Sequence, residues 1–389
     1  MQTILIVRYG EISLKGSNRH YFEDTLVKNL KSRLRSFSGL NFSKGDSRIY
    51  IDPGTTDAQT LLPIIAGTFG VVSVSIASRF EADLELIYAN AREYVEVALR
   101  EQPVKTFKVQ SRRGNKSFPL ESLEISRIVG AVILERFPQL EVDVHTPDLT
   151  VYVEVRDYAY VYTAKTPGPG GMPYGTNGKA LLLISGGIDS PVAGWLMAKR
   201  GVALEALHFH SYPFTSERAQ EKVFELTRIL SRSCQQITLH SVNLLPVQQE
   251  IKAHCPEDYF TIISRRLMMF IAEQVALQHE CQALITGENI GQVASQTIQS
   301  LHVTNSAVQL PVFRPLLAMD KMEIVAWSVK IGAYDVSIQP YEDCCTVFLP
   351  KRPVTKPRLD KVVALETPLN IPHLVEQALA NIETHIFKA

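Results

Sequence analysis

LLLISGGIDSPVAGWLMAKRG, residues 181–201, decides how the second half of this chain is read. An apolar run ends at Ile184, gives way to Ser185-Gly186-Gly187-Ile188-Asp189-Ser190, and continues into an amphipathic stretch opened by Pro191. The apolar run has the length and composition of a strand buried on both faces. Proline favours the first positions of a helix. The pattern therefore predicts strand, turn, helix. Two glycines let the backbone turn tightly and present unshielded N–H groups. Ser185 and Ser190 add hydroxyl donors, and the helix N-terminus adds partial positive charge. Such a turn accommodates an anion. It is neither a Walker loop, since no Gly-Lys-Ser/Thr follows, nor a dinucleotide fingerprint, since G-x-G-x-x-G is absent.

The same grammar repeats downstream. ALEALHF, QQITLHSV and ALIT are further apolar strand candidates, separated by the helical patterns ERAQEKVFELTRILSR and DYFTIISRRLMMFIAEQVALQH. DKMEIVAWSVKIG is a helix with an Asp320 cap and a Gly332 stop, and DVSIQ (335–339) reads as a last strand-like segment. This predicts an open, parallel α/β sheet, in which ligands sit at the carboxyl ends of the strands.

Upstream, residues 166–179 (TPGPGGMPYGTNGK) hold five Gly and three Pro and mark the clearest boundary. Before it, strands and helices mix in two α+β layers with a soft division near residue 60. TILIVRY, SRIYID, VVSVSIA and TFKVQSRR read as strands, and LTVYVEVR and YAYVYTAK as a hairpin around Asp157. SNRHYFEDTLVKNLKSRLRS, DLELIYANAREYVEVALR (capped by Asp83) and SLEISRIVGAVILERF (with Ser122 as its cap) read as helices. The expected organisation is residues 1–60, residues 61–165, a linker at 166–179 and the α/β domain at 180–389.

Bulk properties exclude several classes. The 389 residues are 46% hydrophobic and 21% charged, an ordinary globular balance. Lys+Arg and Asp+Glu are both 40, so RNA binding must rest on local patches rather than on net charge. No apolar run reaches the roughly 18 residues of a membrane span, and the N-terminus reads as a strand, not a signal peptide. Five cysteines without C-x-x-C spacing argue for a reducing cytoplasm and against a structural zinc or all-cysteine cluster site.

The S-G-G-x-D-S turn resembles the pyrophosphatase loop of ATP-dependent adenylating enzymes. That resemblance implies ATP and Mg²⁺, with Asp189 assisting Mg²⁺ and pyrophosphate and with Ser185, Gly186, Gly187 and Ser190 holding phosphates. Taken with ITGENIGQVASQT (285–297), EDCCTVFLPKRPVTKP and the RR-G-K segment near residue 112, the chain resembles the tRNA uridine 4-sulfurtransferases, or 4-thiouridine synthetases, over almost its whole length. The family pattern implies an N-terminal ferredoxin-like domain, a THUMP RNA-binding domain and an open parallel-sheet PP-loop domain. It further implies ATP contacts from Leu183, Ile184, His208, Phe209, Arg265, Gly287 and Gln296. Backbone groups at strand ends suit adenine, and a guanidinium suits phosphate.

The reaction implied is adenylation of O4 of the uridine at the eighth tRNA position, followed by attack of a persulfide sulfur. A cysteine thiolate can carry that sulfur. Cys344 and Cys345 precede a basic, proline-rich stretch, and alignment on the following Lys and Pro makes Cys345 the closer match to the family's catalytic cysteine. Long family members use a second cysteine on a rhodanese domain. The chain ends at Ala389 without one, so the expected donor is a cysteine desulfurase acting directly on Cys345, with Cys344 resolving the disulfide. The link to thiamine synthesis through a sulfur-carrier protein is weakened accordingly. The resemblance also admits a homodimer.

VQSRRGNKSFPLES (109–122) places Arg112, Arg113 and Lys116 just past a strand, with Phe118 nearby. The resemblance makes this the tRNA-contacting segment, and such basic loops bind phosphates. Two other readings remain open at this level. One is a different adenylating enzyme acting on another tRNA base or a small acid. The other is a tRNA-binding module with an inert nucleotide site.

Overall fold

The computed structural model describes residues 2–293, 296–341, 348 and 350–388. The chain divides into two compact units, Met1–Gly171 and Met172–Ala389. The break lies inside the glycine- and proline-rich segment.

The first unit contains β1 (Gln2–Tyr9), α1 (Arg19–Arg33), β2 (Asn41–Gly45), β3 (Arg48–Asp52), α2 (Ala58–Ala66), β4 (Val71–Glu81), α3 (Leu84–Glu101), β5 (Thr106–Arg113), α4 (Ser122–Arg136), β6 (Glu141–Val142), β7 (Leu149–Val155), β8 (Tyr158–Tyr162) and β9 (Thr166–Pro167). All nine strands join one sheet, in the order β2-β3-β1-β4-β8-β7-β5-β6, with β9 paired to β4. The β5–β6 and β5–β7 pairs are parallel and the others antiparallel. Residue 60 falls inside α2, whose Leu61 and Ile65 are wholly buried. Gly168 follows β9 so closely against β4 that a Cβ there would stand 2.3 Å from the Val71 carbonyl oxygen.

α3 and α4 bury Ile87, Val95, Ile125, Val129 and Ile133 against Phe107, Val151 and Val153. Each such side chain contributes about 1.5–3 kcal/mol. Asp83 caps α3 as expected, accepting from the Leu86 N–H at 3.0 Å. Ser122 does not cap α4. The cap is Glu121, in a reciprocal box with Glu124, and Ser122 Oγ instead accepts from the Arg113 N–H at 2.9 Å. A longer side chain one residue upstream reaches the free N–H groups, and the serine ties the helix to β5.

A buried charge cluster crosses this sheet. Glu154 on β7 pairs with Arg48 on β3 and with Arg8 on β1 at 3.3 Å, and accepts from the Tyr162 hydroxyl at 2.6 Å. Burial alone would raise the Glu154 carboxyl. The Arg48 charge, the Tyr162 and Arg48 hydrogen bonds and Arg8 outweigh it and bring the pKa down to about 2.

The second unit contains β10 (Lys179–Leu183), α5 (Asp189–Lys199), β11 (Ala203–His210), α6 (Glu217–Cys234), β12 (Gln236–Asn243), α7 (Leu245–His254), α8 (Phe260–Gln278), β13 (Leu284–Ile285), α9 (Ile298–Asn305), β14 (Val312–Phe313), α10 (Lys321–Lys330), α11 (Tyr334–Ser337), α12 (Leu359–Glu366), α13 (Ile371–Ala380) and β15 (Glu383–Lys388). Its sheet runs β14-β13-β10-β11-β12-β15. The parallel sheet expected from the sequence is present: β10 to β13 are its apolar runs, β14 is a fifth parallel strand that the sequence reading did not mark, and β15 closes the β12 edge antiparallel. DVSIQ is not a strand: its first residues form the short helix α11 after the Gly332 stop, where φ is +74°. β10 has β11 on one side and β13 on the other, so the chain changes direction of travel across the sheet there. The crevice beyond the carboxyl end of β10 is the switch point where open α/β sheets bind ligands.

Candidate active site

The Ser185–Ser190 turn stands at that switch point, between β10 and α5. It is held by its own hydroxyls. Ser185 N–H donates to Ser190 Oγ at 2.8 Å, Gly187 N–H donates to Ser185 Oγ at 3.3 Å, and the two hydroxyls lie 3.2 Å apart. The donors expected to face a phosphate are thus engaged within the loop, converging on a hydroxyl pair at the N-terminus of an 11-residue helix. An incoming anion would accept these bonds in place of the hydroxyls.

Asp189 is the first residue of α5, and both its oxygens are taken. Lys321 Nζ lies 2.8 Å from Oδ1, and Gln292 Nε2 donates to Oδ2 at 3.0 Å. Lys321 opens α10, one residue after the Asp320 cap. A lysine in a first helical turn opposes the helix dipole. That was the one signal in the sequence pointing to Lys321, and its partner explains its place.

Gly287 follows β13 and lies against the loop. A Cβ there would meet Ser190 N at 2.7 Å and the Asp189 carbonyl carbon at 2.9 Å. Only glycine allows this approach of two backbones. The next residue, Glu288, is buried. It pairs with Arg265 of α8 and, at 2.8 Å, with Arg314 Nε, and it accepts from Thr286 Oγ1 at 3.0 Å. Burial would raise the Glu288 carboxyl, but the Arg265 and Arg314 charges with the Arg314 and Thr286 bonds hold it below the ordinary value. Two guanidiniums against one carboxylate leave a net positive charge beside the loop. Arg314 Nη2, Gln292 Oε1 and Gln296 Oε1 are buried without hydrogen-bond partners among the described residues. Arg314 carries no pattern in the sequence, where it sits within PVFRP.

The other residues expected at the nucleotide divide by what their side chains do. His208 is buried, with Nδ1 3.2 Å from the Ile184 carbonyl oxygen, which pins the end of β11 to the start of the loop. Phe209 is in the core and Leu183 packs against it. Both offer a ligand only their backbone. Gln296 closes the turn after β13, accepting from the Gly291 N–H at 2.9 Å through its carbonyl. Arg266 is structural: Nε bonds Glu366 Oε1 at 2.6 Å, and Nη1 donates to the Val303 carbonyl at 2.6 Å. Cys344 and Cys345 lie outside the described residues. Phe348 just beyond them packs between Phe214 and Phe260, at ring separations of 5.6 and 5.7 Å.

In the first unit, Arg112 and Lys116 are exposed at the end of β5 and in the following loop. Arg113 is half-buried and donates to the Phe118 carbonyl at 3.2 Å. Phe118 belongs to the core and presents no ring to solvent. No helix among the described residues is long and apolar enough to cross a membrane.

These features match known proteins along the chain. The model of the family described as "Thiamine biosynthesis protein (ThiI)" matches residues 175–371, and those of the ThiI ferredoxin-like domain and the THUMP domain match residues 4–75 and 81–164. A probable tRNA sulfurtransferase of Alkaliphilus oremlandii is 55% identical over 384 residues, covering 98% of both chains. One from Acetivibrio thermocellus is 51% identical with the same coverage. A crystal structure of a 4-thiouridine synthetase–RNA complex with bound ATP superposes with a TM-score of 0.92 at 39% identity, covering 100% of both chains. A ferredoxin-like segment, a THUMP segment and a PP-loop domain in this order, with identity at this level throughout, place the chain in the ThiI family of tRNA sulfurtransferases.

Proposed function

We propose that the chain adenylates O4 of the uridine at the eighth position of tRNA with ATP and replaces that oxygen with persulfide sulfur, giving 4-thiouridine. The observation carrying this reading is the loop at the β10 switch point, with Lys321 on its Asp189 and with Arg265 and Arg314 on Glu288, next to the Gly287 that abuts it. That is a site for a polyphosphate, and it lacks the Gly-Lys-Ser/Thr of a phosphoryl-transfer loop. Support for the acceptor comes from the THUMP match and from the 4-thiouridine synthetase solved with RNA and ATP.

In the reaction, uridine O4 attacks the α-phosphorus, N3 gives up its proton and pyrophosphate leaves. The loop N–H groups, Lys321 and the two arginines stabilise the charge that gathers on the departing pyrophosphate. Mg²⁺, when bound, would neutralise part of that charge. Asp189, a hard carboxylate, would be its protein ligand in place of the present Lys321 and Gln292 contacts. The terminal sulfur of a Cys345 persulfide then attacks C4 and AMP leaves. A second thiol, assigned to Cys344, attacks the Cys345 sulfur of the resulting disulfide and releases 4-thiouridine. A cysteine desulfurase is the proposed source of the persulfide, a sulfur-carrier protein a further acceptor, a homodimer the assembly and the cytoplasm the site of action.

The test is thiolation of an unmodified tRNA transcript with ATP, Mg²⁺, cysteine and a cysteine desulfurase, read on a mercury-containing gel. An ATP-dependent retarded band is expected. AMP without a band would assign the adenylation to another acceptor or donor. Neither, with tRNA bound, would leave a binding module.

A further inference from the structure

A second polar cluster lies in the same unit, on the amino-terminal side of the sheet. Glu205 of β11 is in register with Leu181, four residues upstream of Ser185. At about 3.3 Å per residue this places it on the order of 13 Å along the sheet from the phosphate loop. His240 of β12 is wholly buried and Glu205 nearly so. His279, just past α8, is half-buried. His240 Nε2 lies 2.6 Å and His279 Nδ1 3.7 Å from the same oxygen, Glu205 Oε2.

We infer that Glu205, His240 and His279 form a binding site for one divalent transition-metal ion of the zinc type, independent of the nucleotide site. The three donor atoms all lie within 4.8 Å of one another. Tetrahedral zinc with bonds near 2.0–2.1 Å separates its donors by about 3.3 Å. His279 is thus close to its required place, and His240 reaches it by a shift of less than an ångström.

The surroundings are those of an oriented ligand set. Lys179 Nζ, 2.5 Å from Glu205 Oε1, holds the carboxylate so that Oε2 alone faces the imidazoles. Thr384 Oγ1, 3.3 Å from His240 Nδ1, is placed to accept from it in the tautomer that would free Nε2 for an ion. Such partners fix ring orientation in metal sites. The centroids of the two imidazole rings are 4.1 Å apart, so both rings approach the one carboxylate. Two imidazoles and one carboxylate select zinc, cobalt or iron over magnesium or calcium. Of the three residues, His279 is the one with partial exposure to solvent. The ion would clip β11 and β12 to the turn after α8, a structural role.

The test is titration of the full chain, stripped by chelator, with Co²⁺ and then Zn²⁺. One equivalent of Co²⁺ should give ligand-field bands without a thiolate charge-transfer band. Zn²⁺ should displace it and raise the melting temperature. His279→Gln, at a half-buried position, should keep the fold and weaken the ion at least about tenfold. A Cys344→Ser/Cys345→Ser chain should bind as the parent does. No stoichiometric binding, equal affinity in His279→Gln, or a thiolate band lost with the two cysteines would overturn the assignment.

Discussion

Lys321 Nζ lies 2.8 Å from Asp189 Oδ1, so the carboxylate of the phosphate loop is met by a cation from a helix more than a hundred residues on. The lysine is 44% exposed and the aspartate 23%, and a pair this open contributes at most about 1 kcal/mol to stability. Its importance must lie in charge delivered to the site. Lys321→Met and Asp189→Ala should each reduce thiolation at least about 100-fold, the scale of one lost transition-state contact. Melting temperature and tRNA affinity should barely move. Thiolation retained in either variant would remove these residues from the proposed mechanism.

Arg265 and Arg266 are neighbours with opposite expected phenotypes. Arg265 reaches the Glu288–Arg314 network beside the loop, whereas Arg266 is buried between Glu366, Val303 and Ser306. Arg265→Ala should weaken ATP binding by about 10- to 100-fold, the value of a charged hydrogen bond, with the fold intact. Arg266→Ala leaves Glu366 unpaired in the core and should cost about 3–5 kcal/mol, seen in denaturant unfolding. Isothermal titration of ATP against each variant separates the two.

That contrast shows where the sequence stops being informative. The Ser185–Ser190 turn is legible as a strand–turn–helix junction because its residues are contiguous and its strand and helix flank it. The parallel strands β10 to β13 are legible as apolar runs, whereas the two-residue β14 is too short to leave one. Arg265 and Arg266 differ by about 100° around one helix, and which direction meets the site is decided by packing against α9 and α12. Arg314 and Glu288 meet only because β14 pairs with β13. The edge strand β15 escaped notice because its half-exposed alternation lies beyond the proline-rich stretch. DVSIQ misled because two β-branched residues outweigh little in a segment that the preceding Gly332 turn sends into a helical turn.

Glu154 is expected to set the acid limit of the first unit. Its carboxyl lies at about 2 against an ordinary 4.5, so folding favours the ionised form. The stabilisation is fully present above about pH 4.5 and is lost as pH falls toward 2. At about 1.4 kcal/mol per unit the shift is worth roughly 3 kcal/mol. Urea unfolding should therefore show a declining midpoint below pH 4.5 in the parent. Glu154→Gln should be less stable at neutral pH and flatter through that window. A parallel decline in both would place the acid sensitivity elsewhere.

Arg112 and Lys116 are exposed, whereas Arg113 donates to the Phe118 carbonyl. An Arg112→Ala/Lys116→Ala chain should bind tRNA more weakly at low salt. Its log-affinity against log-salt slope should be shallower by about one to two, since each lost phosphate contact removes about one. Arg113→Ala should instead loosen the β5–α4 loop and lower thermal stability with a smaller change in slope. An unchanged slope in the double variant would assign tRNA contact to another surface.

The proposed cysteine step can be separated from adenylation by its leaving group. Cys345→Ser should abolish thiolation and the release of AMP while tRNA-dependent pyrophosphate release persists through the first turnover, because no thiol takes part in the attack on phosphorus. Cys344→Ser should form the tRNA-linked disulfide and release product slowly unless an external dithiol is added. Phe348, three residues after Cys345 in the chain, is clasped by Phe214 and Phe260, with Lys252 Nζ 5.0 Å from its ring centroid. Phe348→Ala removes that anchor and should slow sulfur transfer, leaving the rate of pyrophosphate release in single-turnover measurements near that of the parent. If pyrophosphate release falls in step with thiolation, Phe348 supports the nucleotide site instead. If Cys345→Ser still thiolates and Cys344→Ser does not, the persulfide belongs on Cys344.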